Sequence, residues 1–284
     1  MENTRRHTLS FIKLLAVTFA AQLFSIQTIY AQPVYSWGVV PQFSATAIHR
    51  DWTPIINIVE KKTGYKFKLT FYETIPGFEK SFLKGEPDLA YMNPYHAVMA
   101  NEAHGYMPII RDGKRKLVGI IVVRKDSDIN NINELSGKTI SFPSPNAFAA
   151  SLYLRTLLHE KYKIDFETLY SGTHSNAYRH VLSRKSAAAG GVKRTLNKTR
   201  KELKDSLKII YKTEGNPSHP LTVHPRVPEE VRNAVQGALI EIGETEEGRA
   251  LMKKILLPKP IKADYANDYL PLKELKMDKY FVLK

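Results

Sequence analysis

The sequence predicts an α/β protein of two lobes, with mixed, mostly parallel sheets flanked by helices and a cleft between the lobes. Along most of the chain, short apolar runs alternate with segments of helical period, an order typical of parallel strands joined by helices. This order begins twice, once on each side of the apolar run from Leu117 to Arg124. The repetition indicates two sheets of similar construction.

The first set of elements precedes that apolar run. Residues 35–40 and the alternating residues 67–71 are expected to be strands, and residues 52–59 carry apolar side chains on one helical face. Residues 88–92 follow as a further strand. Pro94 then suits the first position of a helix, where its missing N–H has no cost.

The second set of elements follows the run, and the tail of the chain returns to the first set. The expected elements are strand 138–142, helix 147–162, strand 166–170, helix 175–183, strand 187–192, helix 193–207 and strand 208–212. A proline-rich segment from Pro217 to Pro228 then leads into two helices. We therefore expect a second lobe of residues 124–216 inserted into a first lobe of residues 32–123 and 217–284, with the ligand in the cleft between them.

Residues 1–31 have the pattern of a secretory signal peptide. Arg5 and Arg6 are basic, residues 14–30 carry no charge, and Ala31 is a small residue at which cleavage is expected. Polar residues from Ser25 onward interrupt the apolar stretch before it reaches the roughly 20 residues of a membrane span, which favours export over an uncleaved anchor. The chain has no cysteine to carry a lipid anchor, so a periplasmic location is expected.

The charge of the chain favours an anionic ligand. The formal net charge is +14 at pH 7, and a positive field raises the local concentration of anions. The basic residues are spread along the sequence, and the densest run, residues 193–208, also contains Glu202 and Asp205. No nucleic-acid-binding motif accompanies them, so we expect the chain to bind a small anion and no nucleic acid. We also expect the protein to be a monomer.

No catalytic, cofactor or metal motif is present in the sequence. The chain contains no nucleophile elbow, no phosphate-binding P-loop and no His-Glu-x-x-His, and the absence of cysteine excludes thiol catalysis. We therefore expect no catalytic residues, no cofactor and no metal. Histidines without metal-ligand spacing are expected on the surface or in packing; these are His96, His104, His180, His219 and His224.

Three junctions between a strand and the following helix carry the candidate binding residues. They are residues 91–95, 142–149 and 171–175. Each places polar groups at a helix start, where free N–H groups and the positive end of the helix dipole attract anions. The predicted ligand-binding residues are Tyr91, Asn93, Tyr95, Ser144, Asn146, Ala147, Phe148, Ala149, Thr173, His174 and Arg194.

The order of these segments resembles the phosphonate-binding proteins of ABC importers, which have the type II periplasmic-binding-protein fold. The resemblance covers nearly the whole mature chain and rests on residues 88–95 (DLAYMNPY), 119–127 (GIIVVRKDS), 135–142 (LSGKTISF), 172–175 (GTHS) and 187–192 (AAAGGV). It implies capture of a phosphonate, phosphite or phosphate-like anion and delivery to an ABC permease. It also implies that Tyr91 or Tyr95 and His174 face the ligand and that the loop after Pro145 binds the anion.

The chain departs from that family pattern in two places. The anion-binding loop of typical members carries consecutive Ser and Thr hydroxyls, whereas residues 146–149 read Asn-Ala-Phe-Ala. The acidic residue that recognises an amino group in aminophosphonate binders has no counterpart near Gly190 and Gly191, and Arg194 follows instead. The resemblance with these departures implies an anion that lacks an ammonium group or has an apolar part.

Two other functions use the same features. A ligand-sensing partner of a membrane receptor kinase would have the same lobes and differ only in its docking surface. An enzyme on this fold would convert the bound ligand, which the missing motifs disfavour.

Overall fold

The computed structural model describes residues 33–282 as two lobes, each built on one sheet; the predicted signal peptide lies outside these residues. The strands are β1 (Val34–Val39), β2 (Lys66–Thr70), β3 (Leu89–Tyr91), β4 (Met107–Asp112), β5 (Gly119–Arg124), β6 (Thr139–Phe142), β7 (Glu167–Tyr170), β8 (Ala188–Val192), β9 (Leu207–Lys212), β10 (Leu221–Val223) and β11 (Pro260–Lys262). The α-helices are α1 (Ala45–Thr63), α2 (Ile75–Leu83), α3 (Pro94–His104), α4 (Tyr153–Thr156), α5 (His174–Leu182), α6 (Lys193–Lys198), α7 (Lys201–Asp205), α8 (Glu229–Glu244) and α9 (Glu246–Lys254). Helix α4 continues at both ends into π-helical turns, Phe148–Leu152 and Leu157–Lys161, and short helical turns follow at Tyr265–Tyr269, Leu270–Leu275 and Asp278–Tyr280.

The first lobe is built on a six-stranded sheet with the order β11-β4-β10-β3-β1-β2. Strand β1 is parallel to β2 and β3, whereas β10 is antiparallel to β3 and β4, and β11 is antiparallel to β4. Strand β10, which lies within the proline-rich segment, and β11, which follows it, thus complete the sheet that the first half of the chain begins.

Helix α1 shows how the sequence determines an element of this lobe. Ser44 caps its start by accepting a hydrogen bond from the backbone N of Ala47, and Gly64 ends it with a φ of 77°. Its buried face carries Trp52, Ile55, Ile56 and Val59, the predicted apolar stripe, together with Ile48. Among residues 33–282, neither α1 nor any other helix is long and apolar enough to cross a membrane.

The second lobe is built on a five-stranded sheet with the order β7-β6-β8-β5-β9. Strand β5 pairs antiparallel with β8 and β9, so it belongs to this sheet from Gly119 onward, before the predicted boundary at residue 124. An apolar run carries no information about the sheet with which its backbone pairs. Across both described sheets, five antiparallel pairings slightly outnumber four parallel ones, so the sheets are mixed but not mostly parallel.

Two glycines in β8 permit close packing of helices on the second sheet. A Cβ atom on Gly190 would lie 2.3 Å from the carbonyl oxygen of Ala150, and one on Gly191 would lie 2.2 Å from the hydroxyl of Tyr178. The small residues of this segment therefore bring the start of the α4 segment and α5 against the sheet.

Residues 277–282 form a segment, here called the C-terminal strap, that contacts both lobes. On the first lobe, Met277 is buried and Asp278 accepts a hydrogen bond from the Tyr95 hydroxyl. On the second lobe, Arg155 Nη2 donates to the carbonyl oxygen of Tyr280 at 2.8 Å. The strap thus lies across the cleft.

Candidate functional site

The first helix start at the cleft is that of α3, which follows β3. The Asn93 side-chain oxygen Oδ1 accepts a hydrogen bond from the backbone N of His96 at 2.8 Å and caps the helix. Asn93 Nδ2 donates to the carbonyl oxygen of Asn146 in the second lobe at 3.2 Å. Since Asn93 is buried and both ends of its amide have partners, it joins the lobes while it caps α3.

The second helix start precedes α4 and has no side-chain cap. Ala147 stands at the capping position, and its methyl group accepts no hydrogen bond. The backbone N–H groups of Phe148, Ala149 and Ala150 therefore have no acceptor within the helix. The Phe148 ring is buried and stacks on Tyr153, with 5.7 Å between ring centroids. This start presents free donors and the positive end of a helix dipole.

The third helix start is that of α5. Thr173 Oγ1 caps it by accepting a hydrogen bond from the backbone N of Asn176 at 3.1 Å, and His174 is the first helical residue. His174 is only 6% exposed, and its Nδ1 lies 3.4 Å from the hydroxyl of Thr195. Burial, and secondarily the charge of Arg194, lowers the pKa of His174 to about 4, so its imidazole is neutral at pH 7.

The start of α3, the start before α4 and His174 lie at one cavity between the lobes, here called the interlobe cavity. Its volume is about 20 Å³, enough for roughly one water molecule. Its four polar lining residues are Gln42, Asn93, His174 and His219. Its eight apolar lining residues are Val40, Ile75, Leu117, Ala147, Phe148, Ala149, Ala150 and Val192.

His219 is a lining residue that the sequence did not reveal. It is 3% exposed, and its Nδ1 lies 2.9 Å from Arg194 Nη2. Because a guanidinium only donates, Nδ1 accepts, and Nε2 of the neutral ring therefore carries the proton. Nε2 lies 2.9 Å from Gln42 Nε2, which also only donates, so the Gln42 amide must turn its oxygen towards the ring to accept this proton. Burial, and then the charge of Arg194, holds the pKa of His219 well below its usual value. The available signal was its place between Pro217 and Pro220, in the proline-rich segment through which the chain returns to the first lobe.

Arg194 and Tyr91 lie behind His219 rather than in the cavity lining. Besides its contact to His219, Arg194 donates from Nη1 to the carbonyl oxygen of Leu256 at 3.4 Å. The Tyr91 ring stacks on the His219 ring, with 5.6 Å between centroids. Burial raises the pKa of the Tyr91 hydroxyl, against the opposing charge of Arg194, and the hydroxyl is therefore a neutral group at physiological pH.

Asn146 belongs to a buried polar network that connects the lobes with the strap. Its Nδ2 donates to Glu79 Oε2 in the first lobe at 2.9 Å and to the carbonyl oxygen of Val282 at 2.8 Å. Its Oδ1 accepts from the backbone N of Val282 at 3.0 Å. Glu79 in turn contacts His96 Nε2 through its other oxygen, at 2.8 Å. The Asn146 side chain is therefore fully engaged by protein groups.

The structure brings five of the eleven predicted residues to the lining of the interlobe cavity. These are Asn93, Ala147, Phe148, Ala149 and His174. The other six lie around it: Tyr91 and Arg194 behind His219, Asn146 in the network, Thr173 as a helix cap, Tyr95 bonded to Asp278, and Ser144 buried next to the α4 start. The binding role of all eleven residues stays a prediction.

Metal binding has no candidate site in the described part of the chain. Within residues 33–282, no three His, Asp or Glu side chains are grouped closely enough to hold a metal ion. What the interlobe cavity offers a ligand is hydrogen bonds, neutral imidazoles and a helix dipole.

Two α/β lobes that meet over a buried cavity at helix starts define a solute-binding protein of the type II periplasmic-binding fold. The model of one family, described as "ABC transporter, phosphonate, periplasmic substrate-binding protein", matches residues 37–269, and the chain belongs to this family. It is a family of substrate-binding transport proteins rather than of enzymes, and it favours transport over the receptor-kinase alternative.

A relative agrees with this assignment, and solved structures share the fold. The phosphonates-binding periplasmic protein of Escherichia coli (strain K12) is 23% identical over 289 residues, which cover 94% of this chain and 85% of that protein. The binding protein component of an ABC phosphonate transporter from Pseudomonas aeruginosa superposes with a TM-score of 0.78 at 20% identity, covering 88% of each chain. PhnD1 from Prochlorococcus marinus (MIT 9301), solved with methylphosphonate, also has a TM-score of 0.78, at 14% identity, covering 88% of this chain and 99% of that one.

Proposed function

We propose that this protein captures a small phosphonate- or phosphate-like anion in the interlobe cavity and delivers it to the permease of an ABC importer. The observation that carries this proposal is the uncapped start before α4, which lies with His174 and His219 in one buried cavity. Three successive free N–H groups bind an oxyanion without a charged side chain. The methylphosphonate complex of a protein with the same fold supports this ligand class.

The preferred ligand has an apolar substituent and no ammonium group. Among residues 33–282, the cavity is lined by no carboxylate that would pair with an ammonium, and most of its lining is apolar. A neutral imidazole can donate to an anionic oxygen or accept from a protonated one, so His174 suits a singly protonated phosphonate, whereas both ring nitrogens of His219 are engaged by Arg194 and Gln42. Because about 20 Å³ is less than such an anion occupies, the lobes must separate or Phe148 must move for entry.

A ligand screen on the mature chain tests this function. Thermal unfolding is measured with methylphosphonate, phosphite, phosphate, 2-aminoethylphosphonate and sulfate at equal concentrations. Methylphosphonate should raise the midpoint most and 2-aminoethylphosphonate least, because stabilisation follows concentration over dissociation constant. If no phosphorus oxyanion raises the midpoint, the proposed function is wrong.

We also propose that the protein is a monomer, that it is exported and cleaved after Ala31, that it binds no nucleic acid and that it leaves its ligand unchanged. Phosphorus NMR of methylphosphonate after prolonged incubation should show the unaltered compound. Sedimentation should give the mass of one mature chain. N-terminal sequencing of the exported protein should begin at Gln32.

A further inference from the structure

A second cavity, here called the basic cavity, lies between the lobes. One of its lining residues is Arg194, which also contacts His219 of the interlobe cavity. Its volume is about 210 Å³, larger than the interlobe cavity. The lining residues that matter are Asp112, Arg115, Arg194, Asn197, Lys198 and Lys253. The first lobe contributes Lys253 at the end of α9, and the second lobe contributes Arg194 and Lys198 from α6.

Positive charge dominates this lining. Arg115, Lys253 and Arg194 form no ion pair within 4.0 Å with any carboxylate among residues 33–282. The Lys198 ammonium lies over the Phe43 ring and donates to the carbonyl oxygen of Lys254 at 2.8 Å. Against these four cations stands one carboxylate, Asp112. Cations that face one another without counterions favour an anion between them.

Two buried polar atoms of residues that line the basic cavity have no hydrogen-bond partner within residues 33–282. They are Arg194 Nε, a donor, and Asp112 Oδ2, an acceptor. Asp112 is 2% exposed, and its other oxygen, Oδ1, is already occupied by the backbone N groups of Lys114 at 2.9 Å and Lys259 at 3.3 Å. A buried donor and a buried acceptor left open on the lining of one cavity suit a group that offers both an acceptor and a donor.

We infer that the basic cavity is a second anion site, selective for a protonated oxyanion of the phosphate class. Phosphate oxygens accept from Arg194 Nε and pair with Arg115 and Lys253, while the hydroxyl of hydrogen phosphate donates to Asp112 Oδ2. A carboxylate only accepts hydrogen bonds, so sulfate, which carries no proton at pH 7, meets repulsion at Asp112. The site is separate from the interlobe cavity, and the two are connected through the contact of Arg194 with His219.

The test titrates inorganic phosphate and sulfate calorimetrically into the mature chain, with and without saturating methylphosphonate. Phosphate should bind in the presence of methylphosphonate, and sulfate should bind at least about tenfold more weakly. The double variant R115Q/K253Q should lose about tenfold in phosphate affinity, since each exposed cation contributes up to about 1 kcal/mol. Its matched control is R200Q/K262Q, which removes the same charge from exposed positions outside the basic cavity.

The variant Asp112→Asn tests selectivity separately. It keeps an oxygen for the two backbone N–H groups and replaces the open carboxylate oxygen with an amide, so sulfate affinity should approach that of phosphate. The inference is overturned if R115Q/K253Q and its control weaken phosphate equally, or if native protein binds sulfate as tightly as phosphate. If methylphosphonate does not bind, the proposed function fails. The second site is still supported if phosphate binding is unchanged by His174→Ala and weakened by R115Q/K253Q.

Discussion

The helix starts at the interlobe cavity fall into two kinds. At the starts of α3 and α5, the side chains of Asn93 and Thr173 each accept a hydrogen bond from one backbone N–H group, that of His96 and that of Asn176, whereas the start before α4 has only the methyl group of Ala147. A capping oxygen and a bound anion compete for the same donors. A capping side chain therefore marks the rigid part of the site, while the start without a cap offers its donors to the ligand.

The largest effect is expected from placing a capping carboxylate at the open start. Ala147→Asp should lower methylphosphonate affinity at least about 100-fold, because the carboxylate takes the N–H groups and repels the anion at a cost of several kcal/mol. Calorimetry measures the affinity, and circular dichroism verifies folding. The matched control is Thr173→Asp, which adds the same charge at a start that already has a cap. Equal losses in the two variants would contradict the distinction between the starts.

Removal of the Phe148 ring should affect both stability and ligand size. Phe148→Ala should lower the free energy of unfolding by about 3–5 kcal/mol and enlarge the interlobe cavity, so that butylphosphonate gains affinity relative to methylphosphonate. Chemical denaturation and calorimetry measure the two quantities. Phe142→Ala, a buried ring of the second lobe outside the cavity lining, should show a similar loss of stability with no change in ligand preference. An unchanged preference in Phe148→Ala would place the ligand elsewhere.

The neutral histidine predicts a dependence of stability on pH. Since the pKa of His174 is about 4 in the folded protein and about 6.5 when unfolded, the unfolded state binds more protons between these values, and stability falls as pH decreases from 6.5 to 4. His174→Gln should reduce that fall by at most ~3 kcal/mol, measured by denaturation at each pH. His49→Gln, at an exposed position, is the control and should leave the profile unchanged. A profile for His174→Gln that coincides with that of the native chain would disprove the assignment.

The smallest effect on binding is expected at the capped starts. Asn93→Ala and Thr173→Ala should each cost about 1 kcal/mol of stability, with Asn93 the larger because it also loses its bond to Asn146. Methylphosphonate affinity should change by less than about threefold in both, since a cap contributes only about 1 kcal/mol and acts on the helix rather than the ligand. A tenfold loss in Asn93→Ala alone would show that its amide contacts the ligand.

Local signals in the sequence predicted those parts of the site that depend on neighbouring residues. The Asn93-Pro94 pair identified a cap and a helix start, and the spacing from Trp52 to Val59 identified the buried face of α1. The AAAGGV segment was correctly predicted to be a strand. Its glycines are needed because helices pack closely on this strand, and the sequence pattern does not reveal that packing.

Features that depend on distant contacts were not accessible in this way. His219 lines the cavity because its segment crosses the cleft beside Arg194 and Gln42, which stand 25 and 177 residues away in sequence. Asn146 was predicted to meet the ligand, yet its amide bonds to Glu79 and Val282, neither of which is its neighbour in sequence. Likewise, the apolar run does not specify that β5 pairs with β8 and β9 and not with other strands.

The C-terminal strap has a mechanical consequence for how the protein opens. Lobes joined only by the chain segments that connect them can both swing and twist, but the hydrogen bonds between Arg155 and Tyr280 and between Asn146 and Val282 add a point of attachment at the rim. Those bonds must be released for the rim to part, so we expect them to stabilise the form in which the lobes are in contact. Ligand binding then has to supply less free energy for closing the lobes, and the apparent affinity for the ligand is higher.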